Sequence, residues 1–208
     1  NNWMSSGGKI IINNSYNANG CLAAEGGVIK NSYATANGNI TEGVIILTAE
    51  QMQGKDVLKM TGTMPLLNTN GNYWTATETY PVLTAVLGLE VIDLGIWDGT
   101  YTTAPVDSDG DGVYEINSAE EFATLIYNGG AADTTYKLTK NIFLNNLDLI
   151  NWETGETAAG YTPNSWFKNE AVQGIIDGNG YTVYGLYYND NSTRDEMAGA
   201  TTGVGLIP

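Results

Sequence analysis

Near the start of the chain, apolar residues come in short β-branched bursts, each running into Asn, Ser and Tyr. Gly7-Gly8-Lys9-Ile10-Ile11-Ile12-Asn13-Asn14-Ser15-Tyr16 is echoed by Gly26-Gly27-Val28-Ile29-Lys30-Asn31-Ser32-Tyr33, with the two Asn-Ser-Tyr triplets seventeen residues apart. A unit this short cannot bury an apolar face alone, so the pattern predicts strands stacked rung on rung and joined by Gly/Asn turns, a β-solenoid. A β-sandwich hairpin is the alternative reading of the same residues. Asn at a fixed point of the repeat suits a corner, where it accepts a left-handed backbone and its amide reaches the next rung.

Further along, Val44 to Leu47 is another burst, and Thr48-Ala49-Glu50-Gln51 offers a capping box for a short helix that Gly54 weakens before Met60. Residues 61–80, rich in Thr, Asn and Gly and carrying Trp74, read as an irregular closing segment. The most apolar stretch, Pro81 to Trp97, is broken by Glu90 and Asp93 and falls short of the ~20 residues of a membrane span. Membrane insertion is therefore not expected.

Helical spacing is clearest in one place. Ser118 is a natural N-cap with Glu121 three residues on; Phe122, Leu125 and Ile126 share a face, and Gly129-Gly130 ends the run. This predicts a short amphipathic helix capping one end of a solenoid. Beyond it, Tyr136 to Leu149 and Val172 to Tyr188 read as strands, with Asp177-Gly178-Asn179-Gly180 as a turn, and Gly203 to Ile207 begins one more rung. The expected organisation is solenoid rungs and a closing segment in 1–90, an acidic linker in 91–117, and the helix with the first rungs of a further solenoid in 118–208.

Charge narrows the partners. The 208 residues carry 23 Asp plus Glu against 8 Lys plus Arg, for a net charge of -15 and a pI near 4.1. Such a surface repels phosphate backbones, so nucleic acid and anionic membrane are poor partners. The excess lies in the later part, because residues 1–90 hold 6 acidic and 4 basic side chains and residues 91–208 hold 17 and 4. With no histidine, Ser-His and Cys-His nucleophiles and imidazole metal centres are excluded. Cys21 is the only cysteine and forms no intrachain disulfide. The chain opens on Asn1 without a basic n-region or an apolar h-region, and it is read as an excerpt of something longer.

Several segments together resemble a known family. Ile176-Asp177-Gly178-Asn179-Gly180-Tyr181-Thr182-Val183-Tyr184-Gly185-Leu186, followed by Gly203-Val204-Gly205-Leu206-Ile207, resembles the bacterial cell-surface repeats known by the GLUG motif. Asp111 to Ile116, the capped helix and Lys137 to Ile142 look like that family's lead-in, and the Asn-Ser-Tyr repeats with Leu47 to Met52 look like its later rungs and closing segment. The resemblance implies a right-handed parallel β-helix, exported, found in adhesins and surface-layer-associated proteins and generally without catalysis. It carries no catalytic residues to transfer.

The order of the segments departs from the family's. Here the closing portion comes first and the lead-in last, and the order is restored if Pro208 of one copy is followed by Asn1 of the next. The resulting expectation is a head-to-tail unit, with residues 170–208 of one copy stacked on residues 1–47 of another. Trp3, Ile10, Ile11 and Ile12 would meet Tyr184, Leu186, Val204, Leu206 and Ile207 there. A cut across two tandem domains, or ends that stack within one chain as in a circular permutant, are the alternatives.

Among candidate sites, Asp107-Ser108-Asp109-Gly110-Asp111-Gly112 is the sharpest. Carboxylates at the first, third and fifth positions, Gly at the sixth and Val113 placed to offer a carbonyl match the start of a calcium loop. Ser118 stands at the twelfth position, where a bidentate Glu is wanted, and Glu115, Glu120 or Glu121 are at hand to complete an irregular shell. The expected cofactor is a structural Ca²⁺ on Asp107, Asp109, Asp111, Val113 and Glu115; a solvated linker of Asp-Gly turns is the bland alternative.

Asn13, Asn39 and Asn191 head Asn-X-Ser/Thr sequons and are candidate glycosylation sites. Tyr181, Tyr184, Tyr187 and Tyr188 form a candidate sugar platform, against which stands ordinary stacking in the fold. Asp177, Asp190, Asp195 and Glu196 supply acids and Arg194 is the sole arginine, but no spacing singles out a catalytic pair. The reading is an extracellular, cell-surface structural protein that associates with copies of itself. A glycan- or host-binding adhesin module is second, and a polysaccharide-acting enzyme third.

Overall fold

A computed structural model of the chain describes residues 11–18, 28–35, 44–166 and 172–188, with backbone alone at 11–13 and 28. The chain divides into two units, Asn1–Asp93 with Asp148–Thr162, and Leu94–Leu147 with Pro163–Pro208.

In the first unit the repeat becomes a pairing register. Strands β1 (Ile11–Asn13), β2 (Tyr16–Asn17), β3 (Val28–Lys30), β4 (Ser32–Ala34) and β5 (Val44–Ile46) are all parallel where they pair, with Ile12 opposite Ile29 and Tyr16 opposite Tyr33. The chain turns between paired strands at Asn14 and Asn31, both left-handed at φ 49°. A short polar side chain tolerates that conformation best after glycine. At Asn14 the side-chain Oδ1 is buried without a partner. Fully buried Ser32 spans the step: its hydroxyl accepts from Ser15 N at 3.3 Å and donates to Lys30 O at 2.7 Å.

The rest of this unit is an irregular wrap anchored on the repeat's tyrosines. Tyr33 is fully buried among Met52, Met64, Leu66 and Leu67, and its hydroxyl accepts from Leu66 N at 3.1 Å. Burying a side chain of this size stabilises by about 2–3 kcal/mol. Tyr16 donates to Pro81 O at 2.8 Å and meets Trp74 edge-on at 5.1 Å, while Trp74 Nε1 donates to Asn14 O at 2.8 Å. Strands β6 (Trp74–Thr75) and β7 (Val82–Leu83) form an antiparallel pair. Thr48 and Gln51 exchange both capping-box bonds, at 2.8 and 3.3 Å, yet only turns follow and Gly54 sits at φ 110°.

The second unit holds β8 (Val113–Ile116), the helix α1 (Ala119–Asn128), β9 (Thr135–Leu138), β10 (Ile142–Phe143), β11 (Ile175–Asp177) and β12 (Val183–Tyr184). β11, β9 and β8 make one parallel sheet, and β10 and β12 a second parallel pair. Helix α1 begins where expected: Ser118 Oγ accepts from Glu121 N at 3.1 Å, Glu121 reaches back to Asn117 N, and Gly129 closes the helix at φ 80°. Its Phe122, Ala123, Leu125 and Ile126 pack with Ile116, Leu138, Ile142 and Trp166. Fully buried Asn145 ties the irregular returns together: its Nδ2 donates to Asn164 O and Gly185 O, both at 2.9 Å, and its Oδ1 accepts from Asn164 N at 2.7 Å.

Two expectations are corrected. The right-handed parallel β-helix is not what the described residues form: their sheets hold two or three strands of two to four residues each, and one pair is antiparallel. The seventeen-residue step is not sustained, because β5 pairs with β4 only twelve residues on, and the apolar residues after it turn into separate cores. The helix has no solenoid end to cap among the described residues, and its apolar face belongs to the second unit's core. Tyr136 to Leu149, read as strands, holds most of β9 and all of β10 and ends in a 3₁₀ turn at Leu147–Leu149.

Candidate metal centre and the other predicted sites

The acidic loop leads into β8, and its carboxylates hold its own backbone. Asp107 accepts from Gly110 N at 2.7 Å and Gly112 N at 3.0 Å; Asp109 accepts from Asp111 N at 3.2 Å, and Asp111 from Val113 N at 2.8 Å. Gly110 and Gly112 take left-handed φ of 78° and 87°, which lets the loop curl. One carboxylate oxygen from each of Asp107, Asp109 and Asp111 thereby comes within 4.8 Å of the others. Three hard oxygen donors without nitrogen or sulfur fit Ca²⁺ better than a transition metal, with water filling the remaining positions.

Glu115 is not one of that cluster. Its Oε2 accepts from Ser108 N at 3.0 Å and Ser108 Oγ at 2.9 Å, and these bonds hold its carboxyl below the usual glutamate range. It therefore braces the loop's base, helped by Glu115 N donating to Val106 O at 3.1 Å. Val113 starts β8, with its N–H taken by Asp111. Ser118, at the twelfth position, is occupied as the helix cap. Glu120 accepts from Thr102 N and Oγ1 at 3.2 and 2.6 Å, an interaction that lowers its pKa and fastens the 100–105 strap to α1. Sequence reasoning gave Glu120 no such task, because its partner lies eighteen residues upstream with no motif to mark it.

The other predicted residues disperse. Tyr184 is half-buried and stacked on Phe143 at 4.9 Å; Tyr181 and Tyr188 are exposed, and Tyr187 O accepts from Trp166 N. They form no shared platform with one another among the ring pairs of the described residues. Of the assembly residues, Ile11 and Ile12 lie in β1, Tyr184 in β12, and Leu186 is 39% exposed. Trp3, Ile10, Val204, Leu206 and Ile207 lie outside the described residues, as do Cys21, Asn39 and Asn191. Asn13 ends β1. Asp177 ends β11 and accepts from Asn179 N at 2.8 Å, while Asp190, Arg194, Asp195 and Glu196 lie outside the described residues.

Comparison with protein-family models, with curated proteins and with solved structures finds no match to the chain. Among the described residues, no helix is long and apolar enough to cross a membrane.

Proposed function

We propose that the chain is a non-catalytic, extracellular structural module that associates with copies of itself through open sheet edges and is stiffened by Ca²⁺ at the Asp107–Asp111 loop. The observation that carries this reading is an open parallel edge. Among the described residues β11 pairs as a strand only with β9, and at that edge Ile175 is 63% exposed. An unpaired strand edge with an exposed large apolar residue is a template for another chain. Three carboxylates, half-buried at Asp107 and exposed at Asp109 and Asp111, suit the weak calcium sites of extracellular modules, whose affinities are about 10⁻⁴–10⁻³ M.

Sedimentation velocity and negative-stain microscopy across a concentration series, in CaCl₂ and in EDTA, test the reading. It predicts concentration-dependent oligomers or filaments that Ile175→Lys disperses, since a charge on the edge opposes pairing. A wild-type chain that stays monomeric at every concentration in calcium overturns it.

A further inference from the structure

The first unit carries an exposed apolar segment that neither the acidic loop nor the β11 edge explains. Within ten residues Leu83, Val86, Leu87, Leu89, Val91 and Ile92 are 45, 72, 46, 53, 39 and 50% exposed, and Glu90 is the one charged residue among them. Bonds to the rest of the unit hold the segment in this state. Thr84, 2% exposed, donates from Oγ1 to Asn72 O at 2.5 Å and from its N–H to Tyr73 O at 2.8 Å, and Leu89 N returns to Thr84 O at 3.3 Å around Gly88, left-handed at φ 70°. Asn72 then clasps the far end: its Nδ2 donates to Glu90 O at 3.0 Å, its Oδ1 accepts from Ile92 N at 2.6 Å, and its N–H donates to Ile92 O at 3.2 Å. Gly71 and Asp93 add an antiparallel bridge. The backbone spends its bonds inward while the aliphatic side chains stay in water.

The chemistry of the segment selects its occupant. Six large aliphatic residues, each about half exposed, leave on the order of 500 Å² bare, at the upper end of the patches that monomers tolerate. A lipid surface fits poorly, because segments that seat in a membrane interface join aliphatic residues to Trp, Lys or Arg. Residues 83–92 contain no aromatic residue and no cation, in a chain of net charge -15. Interfaces with transient partners are about as polar as the rest of a surface, whereas homodimer interfaces are the more apolar class. Two such patches laid face to face would cover on the order of 1,000 Å², the size at which an interface becomes specific. A patch that meets itself closes at two copies.

We propose that residues 83–92 are a dimer interface, packing on the same residues of a second copy about a two-fold axis. This extends the self-association reading, on which it rests for the identity of the partner, by a second contact in which the β11 edge takes no part.

Sedimentation velocity of four full-length chains separates the two contacts: wild type, Ile175→Lys, the pair Val86→Asp with Leu89→Asp, and all three substitutions together. Ile175→Lys should break up larger assemblies but stop at a dimer, and the triple variant should be a monomer. The Val86→Asp, Leu89→Asp pair should weaken that dimer at least about a hundredfold, since it buries charge at the contact. Because both positions are exposed, the melting temperature of the monomer should stay within about 2 °C of wild type. In a mixture of methyl-labelled and unlabelled Ile175→Lys chains, NMR should show contacts between copies at the Val86 and Leu89 methyls. An Ile175→Lys chain that is monomeric at every concentration overturns this interface and leaves the edge reading standing, whereas a monomeric wild type overturns both. A dimer that the paired aspartates do not weaken, or that shows no contact between copies at residues 83–92, also overturns it. A melting temperature lowered by more than about 5 °C in the paired variant does so too, by showing the patch covered within the chain. Wild-type chain that floats with phosphatidylcholine vesicles and forms no dimer overturns it and reassigns the segment to lipid.

Discussion

Asn145 is the most exacting test of how the second unit holds together. Its fully buried amide makes three bonds to the backbone of two returning segments, at 2.9, 2.9 and 2.7 Å. Replacing it with alanine removes about 1 kcal/mol for each bond and leaves the carbonyls of Asn164 and Gly185 and the N–H of Asn164 to find other partners. Adding about 1 kcal/mol for the void gives a loss of about 4 kcal/mol, a large share of the 5–15 kcal/mol that typically holds a domain folded. Asn145→Asp separates polarity from volume. It exchanges the two-donor NH₂ for an acceptor that faces two carbonyl oxygens, so burial and repulsion raise its folded pKa above the unfolded value of about 3.9. For an acid raised in this way, stability is fully present below the unfolded pKa and is lost as pH rises through the folded pKa. Urea titrations followed by the fluorescence of Trp97 and Trp166, which share the core, should show Asn145→Asp weakening from about pH 4 upward relative to wild type. A loss below about 1 kcal/mol for Asn145→Ala, or a flat pH profile for Asn145→Asp relative to wild type, would refute the staple.

Other outcomes follow from the same geometry. Burial pushes the Tyr33 phenol up to about 12, with the Leu66 N–H acting in the opposite direction, so the stability it confers is present below pH ~10 and lost as pH rises towards 12, by at most about 3 kcal/mol. Alkaline unfolding of Tyr33→Phe should lack that steep limb. Raising CaCl₂ to about tenfold above a millimolar Kd should add about 1.4 kcal/mol of stability by calorimetry, and the Asp109→Asn, Asp111→Asn double variant should abolish the gain. Because Glu115 is held below the ordinary range, its grip on Ser108 is present above the unfolded pKa and lost as pH falls through the folded one; the Ser108 amide resonance should move on acidification and not in Glu115→Gln. Gly71→Ala should cost on the order of 2 kcal/mol in thermal melts, since a Cβ there would lie 2.0 Å from Ile92 O.

What could be read ahead was local. Ser118, Glu121 and Gly129 announce α1 because capping is settled within a few residues, and the aspartates of the acidic loop cluster for the same reason. The seventeen-residue spacing marks which strands pair, and Asn14 and Asn31 mark where the chain turns. What could not be read was where each apolar face goes. Tyr16 and Tyr33 look like members of a continuing stack, but their rings meet Trp74 and Leu66, residues with no periodic relation to them. Thr48 and Gln51 form a capping box that starts nothing, because cap bonds are worth about 1 kcal/mol and cannot carry a helix through Gly54. Residues 148–162 join the first unit's core through Leu149 and Ala158, with Tyr161 packed beside them, apolar positions that follow no helical or strand period.

The brevity of the strands has a dynamic consequence. Strands of two or three residues cannot persist when their side-chain anchors let go, because so few hydrogen bonds do not offset the entropy of ordering the chain. The ladders of β2, β4 and β5 should therefore open only when the Tyr16 and Tyr33 anchors release. Their amides should exchange with deuterium at one common rate, together with those of the wrap around Met64, as a single foldon without a gradient from edge to centre.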